Sequence, residues 1–403
     1  MKTILAVTLA LVAATASANS YVIERIDVNA AKRIPAAAVV AETRLDAGKT
    51  YTTEQLEQAV SRVRRLPFVL YATADLLPGS TPGARVLRID IEEMANFNWA
   101  FDTAALARQR GGGEARVTGD VGYRFFPGRH GMLDAVLGDS NESFVANTRR
   151  DATIAYNAWG LFGTRAYGNV AIGTLFRTNG RHDLNPSALL GVPLTRTQSI
   201  EATFGRTTSR LERSVSGIAD PLRSFSRVTD YGVAWLLQTA DDPYFARTGF
   251  DAGAGPSWVR NELDLPFVLT FPKPPHVVPG RQSQRELVLS ANAAKYWPLR
   301  QASTAWARVA MATTRVTGTA NGVAFPNARQ NAGDFLVGLA HDFNREIGES
   351  GQRRWRFEAG AGYHLDRLSG RNVRPRSGTE LEIGTAYRNR FGLFHLTFGY
   401  VGH

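Results

Sequence analysis

The sequence predicts a small α+β domain followed by an all-β transmembrane barrel of antiparallel strands. Three observations predict it: an export signal at the start, helical periodicity confined to residues 21–93, and two-residue alternation from Met94 onward. With 403 residues, 44% hydrophobic and 21% charged, the chain is too apolar to be disordered. Its length suits one small domain plus one large barrel. No internal run reaches the ~18 apolar residues of a helical span, which excludes a multi-helix membrane protein. The absence of cysteine excludes disulfide scaffolds, zinc ribbons and thiol enzymes.

Residues 1–18 read as a secretory signal peptide. Lys2 is the basic start, Ile4 to Ala14 the apolar segment, and Ala16-Ser17-Ala18 the small-residue cleavage site, with processing expected before Asn19. No cysteine follows, so a lipoprotein is not expected. The net charge of +11 is almost all arginine, lysine standing only at positions 2, 32, 49, 273 and 295. In an exported chain this points to anionic lipid headgroups or an arginine-lined lumen rather than to nucleic acid.

Residues 19–93 form the first expected domain. Tyr21 to Asn29 alternates as a strand. Pro35 opens an alanine- and valine-rich helix through Glu42, proline being favoured in a first helical turn. Gly48 marks a turn, and Thr52-Thr53-Glu54-Gln55 caps a second helix whose Leu56, Ala59, Val60 and Val63 share one face. Pro67 stops that helix, and Phe68–Leu76 and Ala84–Glu92 read as strands. The order β-α-α-β-β, with Gly48, Tyr51 and Leu56 before Leu66, Phe68 and Val69, resembles a POTRA domain. That resemblance implies a periplasmic module that holds extended chains at a sheet edge. Each of those six residues also has an ordinary core or turn role.

From Met94 to His403 the helical period is gone. Val117, Val121, Tyr123 and Phe125 oppose Arg116, Thr118, Asp120 and Arg124; Phe357 and Tyr363 oppose Arg356, Glu358 and His364; Leu381, Ile383 and Tyr387 oppose Glu380, Glu382 and Arg388. One face is apolar and the other wet, as in a barrel whose apolar face meets lipid. Trp159, Trp258, Trp297 and Trp355 near strand ends suit an aromatic girdle. About fifteen segments are visible, and since single-chain bacterial barrels usually carry an even number, sixteen strands are expected, twelve to sixteen being allowed. One strand is therefore either missed or invented, and the place expected for it is between Ser187 and Arg223. The proline-rich stretch Leu263 to Gly280 is expected as a long extracellular loop.

Asp241 to Phe250 reads Asp-Asp-Pro-Tyr-Phe-Ala-Arg-Thr-Gly-Phe. It resembles the D-N-P-x-F-P-T-R-G turn of the bacterial surface antigen superfamily, which includes BamA, TamA and the two-partner secretion transporters. Asp242, Pro243, Phe245 and Gly249 match; Ala246 replaces the usual second proline. Physically this is a tight turn, with Pro243 fixing φ, an aspartate capping amides, and Gly249 free to take positive φ. The strand ending at Tyr296-Trp297-Pro298 and the closing pair around Arg390-Phe391-Gly392 add to the resemblance. The family also carries an R-G-F/Y tripeptide on a lumen-inserted loop, where its arginine pairs with a wall carboxylate. The corresponding stretch, Thr317 to Phe335, lacks it. Arg329 is the candidate substitute, with Glu358, Glu380 and Glu382 as candidate wall partners; a solvated loop arginine is the alternative.

No catalytic signature is present: the seven histidines show no H-E-x-x-H spacing, and there is no G-x-S-x-G elbow. Neither enzyme activity, metal nor cofactor is expected. The resemblance implies an outer-membrane protein with its N-terminal domain in the periplasm, binding unfolded outer-membrane or secreted client polypeptides and assisting their insertion or translocation. Outer-membrane lipid and lipopolysaccharide are the other expected partners. A passive pore for anionic solutes and a translocator dedicated to one surface or secreted protein are the alternatives.

Overall fold

The computed structural model describes residues 19–30, 36–108, 113–127, 131–142, 147–162, 164–177, 181–213, 222–269, 276–278, 280–300, 302–324, 328–345, 353–369 and 376–402. The expected signal peptide and Pro35 lie outside them. The first unit comprises β1 (Ser20–Ala30), α1 (Ala36–Thr43), β2 (Lys49–Thr52), α2 (Thr53–Arg64), β3 (Val69–Pro78) and β4 (Ala84–Glu93). Its sheet runs β2-β1-β4-β3, with β1 and β4 parallel and the outer pairs antiparallel.

The short strand β2 corrects the expected β-α-α-β-β order. Gly48 turns the chain at φ 82°, and Lys49 to Thr52 then pair back along β1 while Tyr51 drops into the core. A four-residue strand is too short to register as alternation. Thr52 and Gln55 form a full capping box at the start of α2, satisfying two orphan amides at once. Tyr51, Leu56, Leu66, Phe68 and Val69 are all buried in one cluster with Ile23, Val39, Val63 and Ile89.

The second unit is a closed ring. It is built from β5 (Phe97–Arg108), β6 (Gly113–Phe125), β7 (Gly131–Glu142), β8 (Asn147–Leu161), β9 (Ala166–Arg177), β10 (His182–Pro193), β11 (Gln198–Arg213), β12 (Leu222–Gln238) and β13 (Gly249–Asp264). After the small hairpin β14 (Phe267–Leu269) and β15 (His276–Val278), it continues through β16 (Arg281–Arg300), β17 (Ser303–Ala320), the tip β18 (Val323–Ala324) and β19 (Ala328–Arg345). The last three are β20 (Arg353–Ser369), β21 (Arg376–Asn389) and β22 (Gly392–Gly402). Hairpin β14–β15 forms a sheet of its own and β18 pairs only with the end of β17; the ring itself has fifteen strands among the described residues.

Fifteen matches the segments visible in the sequence and falls within the allowed twelve to sixteen, one short of the preferred sixteen. With an odd number of strands running alternately up and down, first and last point the same way. The ring accordingly closes through a parallel β5–β22 ladder, from Trp99–Gly392 to Arg108–Val401. The described part of Ser187–Arg223 holds the second half of β10, all of β11 and the start of β12. Pro266 lies between β13 and β14, outside any ladder; Pro272, Pro274, Pro275 and Pro279 lie outside the described residues.

Parity follows the sequence. Val121, Tyr123, Tyr231, Val233, Phe357, Tyr363, Leu381 and Ile383 are exposed on the outward face, as are Trp258, Trp297 and Trp355. A closed ladder with an apolar exterior satisfies every backbone group in lipid, which makes this a membrane-spanning barrel. No described helix is long and apolar enough to cross a membrane. Trp159 departs from the expected girdle. It has the opposite parity to the exposed Ile154 and Tyr156 and is buried edge-on against Phe68, ring centroids 5.2 Å apart. Inside the ring, Trp306 packs with Leu336, Ala340 and Tyr296, and its ring fills the space that side chains at Gly338 and Gly360 would occupy.

Candidate functional site at the covered mouth of the barrel

The first unit sits across one mouth of the barrel. Phe68 stacks edge-on with Phe126 and Trp159, and Met132 joins the same buried cluster. Polar ties ring this contact. Arg124 donates to the Pro67 carbonyl (3.2 Å), Arg388 to the Val69 carbonyl (2.9 Å), and Arg44 to the carbonyls of Thr195, Arg196 and Gln198. Arg165, in the β8–β9 turn, pairs with Asp46. The unit thus touches the barrel from β6 round to the β10–β11 turn and again at β21.

The β12–β13 connection folds into this mouth. Asp242 Oδ1 accepts from the amides of Tyr244 (2.8 Å) and Phe245 (2.9 Å), closing an Asx turn around Pro243. Asp241 Oδ1 accepts from the amides of Arg247 and Thr248, and Asp251 Oδ1 from those of Thr239 and Ala240. Gly249 has φ 104°, and a Cβ there would lie 2.3 Å from the Thr239 carbonyl oxygen, so only glycine fits. The turn is held from both sides. From α2, Arg64 donates to the Asp241 carbonyl, and Arg65 to the Ala240 carbonyl and the Asp251 carboxylate. From the barrel wall, Arg356 donates to the Ala246 carbonyl and lies over the buried Phe245 ring, while Arg388 lies 4.4 Å over the Tyr244 ring.

Beyond the turn the lumen holds a cavity of about 450 Å³, lined by Pro243, Tyr244, Arg308, Glu358, Glu382 and His395 among others. Arg308 reaches Glu358 at 3.4 Å and Glu382 at 3.9 Å and stacks on Trp306. Across the seam, His395 Nδ1 meets Asp102 Oδ1 at 3.1 Å. On the outward side, Phe101 and Phe394 stack in parallel 5.5 Å apart. At the mouth, the Trp99 amide donates to the Phe391 carbonyl and the Ala95 amide to the Arg390 carbonyl.

The expected site residues separate into three groups. Asp242, Pro243, Phe245 and Gly249 make the inserted turn, so among the described residues this connection enters the lumen; Phe325, Pro326 and Asn327 of the expected loop lie outside them. Glu358, Glu380 and Glu382 share the inward face of β20 and β21 with Arg356 and Arg388. Arg329 lies in the β19 ladder opposite Arg315 and Ser369, on the parity of the outward Phe335 and Val337. It is therefore on the wrong face to meet the wall carboxylates, and Arg308 meets Glu358 and Glu382 instead. Sequence reasoning missed Arg308; its signal is a charge of inward parity on β17, whose other charge, Arg315, has outward parity. Asp334, His364 and Glu380 converge with ligand-type atoms within 4.8 Å of one another, His364 being hydrogen-bonded to Asp334.

No family model matches the chain, and no curated protein matches it. Among solved structures, it is similar to BamA from Haemophilus ducreyi lacking POTRA domains 1-3, at 12% identity and a TM-score of 0.42, over 94% of this chain and 81% of that one. It is also similar to CdiB from Acinetobacter baumannii, at 10% identity and a TM-score of 0.46, over 91% of this chain and 68% of that one.

Proposed function

We propose that this chain is an outer-membrane barrel of the bacterial surface antigen superfamily. In this reading it binds client polypeptides in the periplasm through a POTRA-like domain at residues 19–93 and assists their insertion into, or translocation across, the membrane. The observation that carries the reading is the Asp242-Pro243-Tyr244-Phe245 turn, inserted into the mouth and clamped between α2 and Arg356. It couples the α+β unit mechanically to the barrel wall. The second support is the seam. Parallel pairing is slightly weaker per residue than antiparallel, so the β5–β22 ladder is where a ring of otherwise antiparallel ladders opens at least cost. An opened seam exposes two strand edges, which a client strand can extend. No nucleotide, metal or chemical step is required; client folding and burial drive the process.

Quantitative surface and outer-membrane proteomics after deletion tests this. Loss of many unrelated barrels marks a general assembly role, and loss of one exported protein marks a dedicated translocator. An unchanged proteome overturns both and leaves a passive pore for anionic solutes.

A further inference from the structure

A polar cleft of about 460 Å³ opens between α2 and the β10–β11 turn, on the outer side of the covered mouth. Gln55 and Gln58 line it from the helix; Arg165, Thr195, Arg196 and Thr197 line it from the barrel turns. Four guanidinium groups gather at this place. Arg196 lies 4.6 Å over the Tyr51 ring, and Arg165 pairs with Asp46. Arg44 is buried beneath the turn, donating to its carbonyls. Arg62 follows Gln55 and Gln58 on one face of α2, at two-turn and one-turn spacing, and is only 2% exposed.

The carboxylates that meet these cations are Asp46 and Glu42, the latter 3.9 Å from Arg44. They leave the cluster short of negative charge. Burial, followed by repulsion from Arg44 and, more weakly, from Arg196 and Arg165, pushes the Arg62 pKa down to about 9 against the attraction of Glu42, so it stays protonated at neutral pH. Arg44 Nε and Arg62 Nη1 are also buried without a hydrogen-bond partner. Buried cationic donors left unmatched are expensive, and a nearby anion relieves that cost.

We propose that this cleft binds a phosphate-class anion, either the phosphodiester of a lipid headgroup or free phosphate, between Arg165 and Arg196, with the Gln55 amide and the second N–H of Gln58, whose first donates to Glu54 Oε1 (3.3 Å), as further donors. Planar guanidinium groups match phosphate oxygens in pairs. The barrel turns that form the cleft end at the membrane boundary, where headgroups lie against the wall. The site is independent of the lumen cavity and of the assembly reading.

Titration calorimetry on the full chain in non-ionic detergent tests it, with two probes: sodium phosphate, and dihexanoyl-phosphatidylglycerol below its micellar concentration. Binding of at least one probe is expected, weakening with added salt. Tighter binding of the diester identifies the headgroup as the source, and equal or tighter binding of inorganic phosphate identifies the free ion. Gln58→Glu places a negative charge in the cleft at a half-buried position and is expected to weaken binding about tenfold or more. Gln58→Lys is expected to strengthen it, and the pair Arg165→Gln with Arg196→Gln to abolish it. The two Gln58 variants keep every arginine that ties the units together, so they report on the site even if the double variant fails to fold. No binding by the native chain, or binding indifferent to Gln58→Glu, overturns the proposal.

Discussion

Asp342 on β19 and Arg356 on β20 face each other as a buried two-bonded ion pair, Nε to Oδ1 2.7 Å and Nη2 to Oδ2 2.9 Å. The same guanidinium holds the inserted turn through the Ala246 carbonyl. Asp342→Asn leaves a buried guanidinium without its counter-charge, a change that costs about 3–5 kcal/mol. The expected outcome is a lower unfolding midpoint in urea and a larger single-channel conductance, since the turn loses its anchor on the wall. Unchanged values for both measurements would show that the pair does not hold the turn.

Gly249→Ala, at the first residue of β13, is expected to displace the turn while the rest of that strand stays paired. The added methyl collides with the Thr239 carbonyl at a φ that L-residues rarely adopt. Phe245→Ala removes the ring under Arg356, with a loss of about 3–5 kcal/mol for a buried aromatic. Limited proteolysis within residues 239–249 is expected to become rapid in both variants while the strands stay protected.

The Asp46–Arg165 pair ties the two units at the rim. Hydrogen bonding from Lys49 first, and then from Arg165, holds the Asp46 carboxyl below the ordinary aspartate range. A lowered folded-state pKa gives stability that is present above the unfolded value, ~3.9, and is lost as pH falls through the folded value. The stability difference between the native chain and Asp46→Asn is therefore expected to be constant near neutral pH and to vanish in acid below ~3.9. Its size is about 1 kcal/mol or less, because the pair is solvent-screened. Thermal unfolding across pH reads it; a difference that grows in acid contradicts the assignment.

Gly392 opens β22 where its backbone approaches the Trp99 carbonyl so closely that an added Cβ would sit 1.8 Å from that oxygen. Gly392→Val is expected to splay the start of the seam and to speed hydrogen exchange in β5 and β22 relative to β11 and β12. Equal protection in the two pairs would mean that the seam is no weaker than the rest of the wall.

Much of this architecture is legible in alternation alone, because inward and outward parity is a local property of each strand. Glu358, Glu382, Phe357 and Leu381 fall on the faces that their chemistry demands. The closure is different. Whether β5 and β22 meet parallel or antiparallel depends on the parity of the strand count, and one miscounted segment reverses it. The Asp242–Gly249 segment reads as a turn from its residues, but its insertion depends on Arg64, Arg65 and Arg356, which are distant in sequence. Arg329 looked suitable by charge and position, and one step of register put it on the other face. Strand β2 was hidden by its shortness, and Trp159 by packing against a different unit.

The most direct test of the account locks the seam. The chain has no cysteine, so Thr103→Cys with Leu396→Cys introduces a single pair at directly opposed positions on the β5–β22 ladder. The variant is expressed in a deletion strain, oxidised or reduced, and the outer-membrane proteome is measured. The account predicts that the oxidised form fails to restore the clients lost on deletion and that reduction restores them. Full restoration by the oxidised form would contradict a seam that opens for its clients.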